Sequence, residues 1–317
     1  MYVTLDSKTY KVAKHLFHVK AETDSFLWKK MEECYGPFEV SPDQNTRSWS
    51  GGHEGLPAAQ KPAFEVELCD DIRDFGGCEF VYSNRDSVEP GFLEITVYKS
   101  EEGHHFEFRY PHSEEVNGRL SISKDYKRAR FTLSGTQGHQ WYTYNSGMNI
   151  CFLLATAGMD TIFIHASCIS YQGKAYLFLG KSGTGKSTHS RMWLNALEGV
   201  ELMNDDHPII RIGTDGQPVA FGSPWSGKTR CYKNVEAPIG GIIRISRAPY
   251  NKARRLSVIE SYASLISSCS GITWEKDLAD GKDHSIQGII AKVPCWVMEC
   301  LPDNEAAVVC SQSVTQV

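Results

Sequence analysis

The residues whose types and spacing most clearly suggest a chemical function form a glycine-rich loop at 180–187, which reads GKSGTGKS. It fits the pattern G-x-x-x-x-G-K-[ST], in which glycines allow backbone N–H groups to turn toward a bound phosphate. Lys186 would place a positive charge near the β and γ phosphates, and Ser187 would offer its hydroxyl to Mg²⁺. The loop therefore predicts a site for Mg²⁺ and a nucleoside triphosphate, expected to be ATP.

The segments on either side of this loop are those that a phosphate-binding loop requires. The run KAYLFL before it predicts a strand, and STHSRMWLNAL after it predicts a helix, whose N-terminus attracts anions. A glycine-rich turn that binds nothing is the alternative. The residues expected to bind the nucleotide are Gly180, Lys181, Ser182, Gly183, Thr184, Gly185, Lys186, Ser187 and Thr188.

Two adjacent acids, Asp205 and Asp206, follow a short apolar run about 18 residues after Lys186. That spacing leaves room for one helix at about 188–197, a turn and a strand, which would return the acids to the phosphates. Neighbouring residues of a strand point to opposite faces, so the two carboxylates should have different roles. One would bind Mg²⁺ and the other would accept a proton from the phosphate acceptor. A solvated Asp-Asp turn is the alternative.

His165 ends an apolar run in TIFIHASCISYQGKAYLFLG, which predicts two strands joined by the turn YQGK. If residues 161–170 and 174–179 pair as a hairpin, His165 lies near the phosphate-loop end of the second strand. A neutral imidazole there could bind a second metal ion, and a charged one could stabilise phosphoryl oxygens. A histidine with a purely structural role is the alternative.

In combination, IHAS, GKSGTGKST and NDD resemble HPr kinase/phosphorylase in order and spacing, over roughly residues 160–245. ATP-dependent phosphoenolpyruvate carboxykinase has a similar set, and SGTGKST is especially close to its loop. The resemblance implies an α/β (α+β) P-loop domain with a bent, mixed sheet, distinct from the Ras-like fold. It implies Lys186 on the phosphates, Ser187 and Asp206 around Mg²⁺, Asp205 as general base and His165 close to the transferred phosphoryl group.

A second segment, GSPWSGKTRCYKN at 222–234, looks like the glycine-tryptophan loop of HPr-kinase-like proteins. By that resemblance Lys228 and Arg230 would face the phosphates or an acidic acceptor, with ordinary surface charge as the alternative. The sequence lacks the glycine-rich C-terminal signature of HPr kinases, so HPr is not implied as the substrate. HPr kinases assemble into oligomers, so the resemblance also allows a homo-oligomer.

The first half of the chain has a different pattern. The segment 22–35 predicts a short amphipathic helix, and the polar segment 41–61 predicts a loop. Alternating runs such as FLEITVY and HHFEFRY, separated by polar turns, predict an antiparallel meander with one solvated face. An apolar helix is expected at 146–159. We therefore predict a β-rich domain at 1–145, for recognition of the acceptor or a partner, and a P-loop domain at 146–317.

Composition limits the partners and the cellular compartment to be expected for this protein. The 317 residues carry a net charge of −5, which offers no general attraction to nucleic acid or an anionic membrane. No apolar run is long enough to span a membrane, and the first residues lack the pattern of a signal peptide. The ten cysteines form no CxxC pair, so a reduced, cytoplasmic protein is expected.

These features favour a Mg-ATP-dependent kinase that phosphorylates a hydroxyl group on a protein serine or a small molecule. Two alternatives remain open. The loop SGTGKST also suits a carboxykinase-like enzyme. A non-catalytic nucleotide-binding module, in which ATP only stabilises the fold, would carry the same loop.

Overall fold

The computed structural model describes residues 4–40, 61–88, 92–111, 113–227 and 229–315. The chain divides into two compact units, Met1–Ala155 and Thr156–Val317. This division falls at the end of a long helix, whereas the boundary expected near residue 145 falls inside that helix. Most of the loop expected at 41–61 lies outside the described residues. In the described ranges, no helix combines the length and apolar character needed to cross a bilayer.

The described part of the first unit consists of one sheet and two helices. Its strands are β1 Leu5–Val12, β2 His15–Glu22, β3 Phe64–Leu68, β4 Glu79–Ser83, β5 Glu94–Lys99, β6 Gly103–Arg109, β7 Val116–Ser123 and β8 Arg128–Leu133. Its helices are α1 Phe26–Cys34 and α2 Gln137–Thr156, and a single 3-10 turn lies at Gly36–Phe38.

The sheet of this unit has the strand order β1-β2-β3-β8-β7-β6-β5-β4. The predicted antiparallel meander is confirmed for β4 to β8. The sheet as a whole is mixed, because β3 pairs in parallel with both β2 and β8. The prediction of a β-rich antiparallel domain is therefore wrong at β3. Alternation along a strand indicates which side chains are buried, but it does not determine the direction of the neighbouring strand.

The expectation of one solvated face is wrong for β6, in which every residue but the last is buried. Two of its polar side chains, His105 and Glu107, have clear partners. Glu107 accepts hydrogen bonds from Arg109 and Arg119 at 2.6 and 2.9 Å, and the ring of His105 stacks on Phe75. Pairing of this kind allows charged side chains to lie on a covered face of a sheet.

The helix expected at 22–35 is present as α1, which buries Leu27, Met31 and Cys34. The helix expected at 146–159 is α2, but it begins earlier, at Gln137. Glycines at 138 and 147 lower the helix propensity of this segment. Tertiary contacts outweigh that preference, since Tyr144 is fully buried and its hydroxyl contacts the sulfur of Met31.

The second unit alternates strands and helices. Its strands are β9 Thr161–Phe163, β10 Ala166–Tyr171, β11 Lys174–Leu179, β12 Glu201–Asp206, β13 Ile209–Ile212, β14 Pro218–Phe221, β15 Glu236–Arg247, β16 Lys252–Arg255 and β17 Cys295–Cys300. Its helices are α3 Lys186–Ala196, α4 Val258–Ile266, α5 Lys276–Ile290 and α6 Asn304–Val314.

The sheet of the second unit is mixed and has apolar clusters on both faces. Its strand order is β12-β10-β11-β15-β14-β13-β9, and β17 joins it beside β15 and β16. Leu177 and Leu179 of β11 pack in a cluster with residues of α4 and α5, whereas Tyr176 and Phe178 pack with residues of α3 and α6. Burial on both faces explains why AYLFL, the part of this strand after Lys174, is apolar without interruption. The α/β class and the mixed sheet expected for this half are confirmed.

Three strands bring the chemically interesting segments to one edge of this sheet. The predicted hairpin is confirmed for residues 166–171 and 174–179, with Ala166 at the start of β10 opposite Leu179 at the end of β11. On its other side β10 pairs antiparallel with β12, so that Ala166 also lies opposite Asp206. The residue before β10, the loop after β11 and the end of β12 therefore meet at the same edge.

Candidate active site

The imidazole, the glycine loop and the acidic pair singled out in the sequence lie together at this edge. The Nζ atom of Lys186 lies 3.0 Å from Nε2 of His165. The same Nε2 atom lies 3.1 Å from Oδ1 of Asp206. The three predicted elements thus converge through direct side-chain contacts. The roles assigned to these residues remain predictions.

Loop 180–187 has a conformation that fits a phosphate group. Gly183 has a φ of 74° and Gly185 a φ of 119°, values that residues with a Cβ rarely adopt. Gly185 caps α3, which begins at Lys186. The first N–H groups of a helix have no carbonyl partner within it, so the start of α3 supplies donors for an anion. Lys181, Ser182 and Gly183 are exposed, which leaves this loop accessible.

Lys186 is held at the base of the loop. Its side chain is buried, with the residue 8% exposed, and its Nζ donates to the carbonyl of Gly180 at 3.0 Å. Burial lowers the pKa of the Lys186 ammonium, although the charges of Asp206 and Asp205 oppose that shift. A partly desolvated cation interacts more strongly with phosphate than one in bulk water. This placement suits the predicted contact with phosphate.

Asp206 lies between two imidazole rings. His165 approaches Oδ1, and Nδ1 of His207 lies 3.2 Å from Oδ2. Burial raises the pKa of Asp206, but the hydrogen bonds from both histidines outweigh it and hold the pKa of this carboxyl well below its usual range. The Asp206 carboxyl is therefore ionised at neutral pH. His207 was missed in the sequence, although it directly follows the acidic pair and its position alone could have signalled it.

The contacts of His165 Nε2 impose a choice between two partners. A protonated Nε2 can donate to the Asp206 carboxylate, whereas an unprotonated Nε2 can accept from the Lys186 ammonium. A single nitrogen cannot do both at once. If Lys186 moved away from His165, this nitrogen would still have Asp206 as a partner.

Asp205 and Asp206 have different surroundings, as predicted from their positions along one strand. Asp205 lies opposite Ser167 and is 5% exposed, whereas Asp206 ends the strand. The carboxylate of Asp205 makes no hydrogen bond with another described residue. The negative charge of Asp205 is close enough to raise the pKa of Lys186, against the larger lowering by burial. Asp206 contacts two histidines and Asp205 contacts neither, and the assignment of Asp205 as the proton acceptor remains a prediction.

His165 is fixed through its backbone at a break between two strands. Its N–H donates to the carbonyl of Ser268 at 2.8 Å, and Ile164 bridges to Cys269 just beyond α4. The predicted continuous strand 161–170 is therefore wrong, because β9 ends at Phe163 and pairs with β13 instead of β11. The break orients His165 toward the loop.

The fully buried Asn204 organises the segment beside the acidic pair. Its Nδ2 atom lies 3.3, 3.1 and 3.5 Å from the carbonyls of Ser223, Trp225 and Cys231. Its Oδ1 atom accepts a hydrogen bond from the N–H of His207 at 3.0 Å. One amide thus connects the end of β12 to the loop at 222–231. Its role was not recognised in the sequence, where NDD draws attention only to the acids.

We expect Asn204→Ala to lower the free energy of unfolding by about 3 kcal/mol, because the buried hydrogen bonds that its amide makes with the loop at 222–231 and with the N–H of His207 would be lost. Urea denaturation followed by circular dichroism measures this change. Asn204→Asp is the diagnostic control, since it keeps the acceptor for His207 but turns an acceptor toward the same carbonyls. Wild-type stability of Asn204→Asp would show that the donated hydrogen bonds contribute little.

The loop at 222–231 lies against the acidic pair. The N–H of Gly227 and the hydroxyl of Ser226 both donate to the backbone carbonyl of Asp205, at 2.7 and 3.1 Å. Arg230 is exposed on this loop. Lys228 lies outside the described residues. These backbone contacts hold the loop beside Asp205, and the roles of Lys228 and Arg230 remain predictions.

The residues at the edge also fit a magnesium ion. In the described ranges, no group of three or more His, Cys, Asp or Glu residues forms a ready-made metal site. Mg²⁺ is usually bound by one or two carboxylates together with phosphate oxygens and water, so it does not need such a group. Asp206 is a permanent anion, and Ser187 lies in the first turn of α3. His165, predicted as a possible metal ligand, contacts Asp206 and Lys186.

Comparison of the chain with protein-family models and with curated proteins gives no significant match. Among solved structures, the chain is similar to the Hpr(Ser) kinase/phosphatase from Coxiella burnetii. The sequences are 11% identical, and the match covers 49% of this chain and 94% of that chain, with a TM-score of 0.30. At this TM-score neither fold detail nor activity is transferred from that enzyme.

Proposed function

We propose that this protein is a Mg-ATP-dependent phosphotransferase that moves the γ-phosphate of ATP to a hydroxyl group. The observation that supports it is the contact chain from Lys186 through His165 to Asp206, at 3.0 and 3.1 Å, beside a glycine loop of matching sequence. Phosphoryl transfer depends mainly on positioning and on neutralising charge. The Lys186 ammonium, the N–H groups of loop 180–187 and the two carboxylates lie at one edge of the sheet. Together they can supply the positioning and the charge neutralisation.

Each group has a distinct part in this proposal. The N–H groups at the start of α3 and in loop 180–187 hold the phosphates. Lys186 neutralises charge on the transferred group, and Ser187 and Asp206 hold Mg²⁺. Mg²⁺ held by these residues would neutralise negative charge on the phosphates. His165 and His207 keep Asp206 ionised and oriented.

Asp205 is proposed as the general base. It is the carboxylate that is not occupied by the two histidines, and it adjoins the loop 222–231. It would accept the proton of the acceptor hydroxyl as the oxygen attacks phosphorus. We propose a protein serine or a small molecule as the acceptor. Recognition of the acceptor or of a partner is proposed for the first unit, which carries none of the nucleotide-binding motifs.

Isothermal titration with a non-hydrolysable ATP analogue, with and without Mg²⁺, tests nucleotide binding by the full chain. Incubation with γ-labelled ATP and fractionated cell extract then tests transfer. We expect Mg²⁺-dependent binding and a labelled acceptor whose label withstands acid, as a phosphate ester does. Absence of binding would contradict the proposal. Binding without transfer to any fraction would favour a non-catalytic module, and ATP-dependent decarboxylation of oxaloacetate would favour a carboxykinase.

A further inference from the structure

Two arginines lie at the end of β15, on the side of β11 opposite the acidic pair. β15 runs parallel to β11, with Arg244 opposite Leu179, the last residue before the glycine loop. β15 then continues past the edge to Arg247. Because β10 and β12 lie on the other side of β11, the loop has acids and imidazoles on one flank and arginines on the other.

The first of these arginines has a structural role. Nε of Arg244 donates to the hydroxyl of Ser264 at 2.7 Å, and its terminal nitrogen reaches the hydroxyls of Ser267 and Ser268 at 2.8 and 3.2 Å. These contacts hold the end of α4, and Ser268 in turn accepts from the backbone of His165. The guanidinium of Arg244 therefore stabilises the backbone segment that holds His165.

The second arginine is placed differently. Arg247 is exposed, and its guanidinium donates to the carbonyl of Gly183 in the exposed part of the glycine loop. Within the described part of the chain, the guanidinium makes no other hydrogen bond. A guanidinium has five donors in a rigid planar fork, so one carbonyl leaves most of them available. The contact also holds the charge beside the loop without neutralising it.

We infer that Arg247 is a further catalytic residue, which contacts the terminal phosphate of the bound nucleotide from the side opposite Mg²⁺. This inference rests on the proposed function. The N–H groups at the start of α3 would take the inner phosphates, whereas Gly183 belongs to the exposed part of the loop. A cation held at Gly183 therefore meets the outermost phosphate. There it balances the charge that develops on the transferred group, complementing Lys186 from a second direction.

The test compares Arg247→Ala, Arg247→Gln and Arg247→Lys with wild type by titration of a non-hydrolysable ATP analogue and of ADP, each with Mg²⁺. The amide of Arg247→Gln can still donate to the carbonyl of Gly183, but it carries no charge. This variant therefore distinguishes a role in supporting the loop from a charged contact with phosphate. We expect the Ala and Gln variants to bind the ATP analogue about tenfold to a hundredfold more weakly, the size of a charged hydrogen bond, and to bind ADP almost normally. Arg247→Lys should recover part of the loss.

Arg254→Ala is the matched control, because Arg254 is an exposed arginine on β16 that pairs with Glu260. We expect it to bind both nucleotides as wild type does. Equal weakening of ATP-analogue and ADP binding by the Arg247 variants would overturn the inference, as would wild-type binding of the ATP analogue by Arg247→Gln. Failure of the wild-type chain to bind either nucleotide would instead overturn the proposed function itself.

Discussion

Lys186→Ala is expected to reduce ATP turnover by about a thousandfold or more, the effect of losing a preorganised charge at the transferred group. Lys186 is buried at the base of the loop, where its ammonium contacts Gly180 and His165. Alanine leaves both of these groups in place and removes the cation. Single-turnover transfer of labelled phosphate measures the loss, and circular dichroism establishes that the variant is folded.

Lys174→Ala is the matched control for this prediction. Lys174 begins the same strand, β11, but lies at its opposite end and is exposed. It should have wild-type turnover, since it is far along the strand from the glycine loop. Substantial turnover by a folded Lys186→Ala variant would mean that the loop does not place this lysine on phosphate.

Asp205→Asn is expected to retain nucleotide binding while losing phosphate transfer by a factor of about 10² to 10⁴, the usual contribution of a general base. The amide is isosteric with the carboxylate but cannot accept the proton of a hydroxyl acceptor. Because Asp206 keeps its two imidazole contacts, the metal site should survive the change. Titration of the ATP analogue with Mg²⁺, together with single-turnover transfer, separates binding from chemistry.

Asp206→Asn provides the comparison for this second prediction. It removes the anion held by His165 and His207, so it should weaken the dependence of nucleotide binding on Mg²⁺. If Asp205→Asn transferred phosphate at the wild-type rate, Asp205 would not be the base. If instead Asp205→Asn abolished the effect of Mg²⁺ and Asp206→Asn did not, the two roles would be exchanged.

Much of the site could be predicted because its parts are local. The glycine loop, the strand before it and the helix after it lie within a continuous stretch, and α3 begins at Lys186 within that stretch. The hairpin of β10 and β11 follows from two apolar runs and a short turn, and it placed His165 at the correct edge. The spacing to Asp205 allowed one helix and one strand, which is what the chain forms.

The remaining features depend on contacts between distant residues. Arg247 reaches the loop from 64 residues away, through a parallel pairing that no local pattern indicates. The role of Asn204 depends on its hydrogen bonds to backbone carbonyls in a loop about twenty residues later in the chain. In the first unit, β3 pairs in parallel with β2 and β8, and strand direction of this kind depends on the connections and not on alternation.

The most direct test is a crystal structure of the full chain with Mg²⁺ and a non-hydrolysable ATP analogue. It should show the triphosphate in loop 180–187, Lys186 on phosphate oxygens, and Mg²⁺ held by Ser187 and Asp206. Asp205 should face the open side beyond the γ-phosphorus. A nucleotide bound elsewhere, with Lys186 still on His165 and Asp206 without metal, would contradict the phosphotransferase proposal.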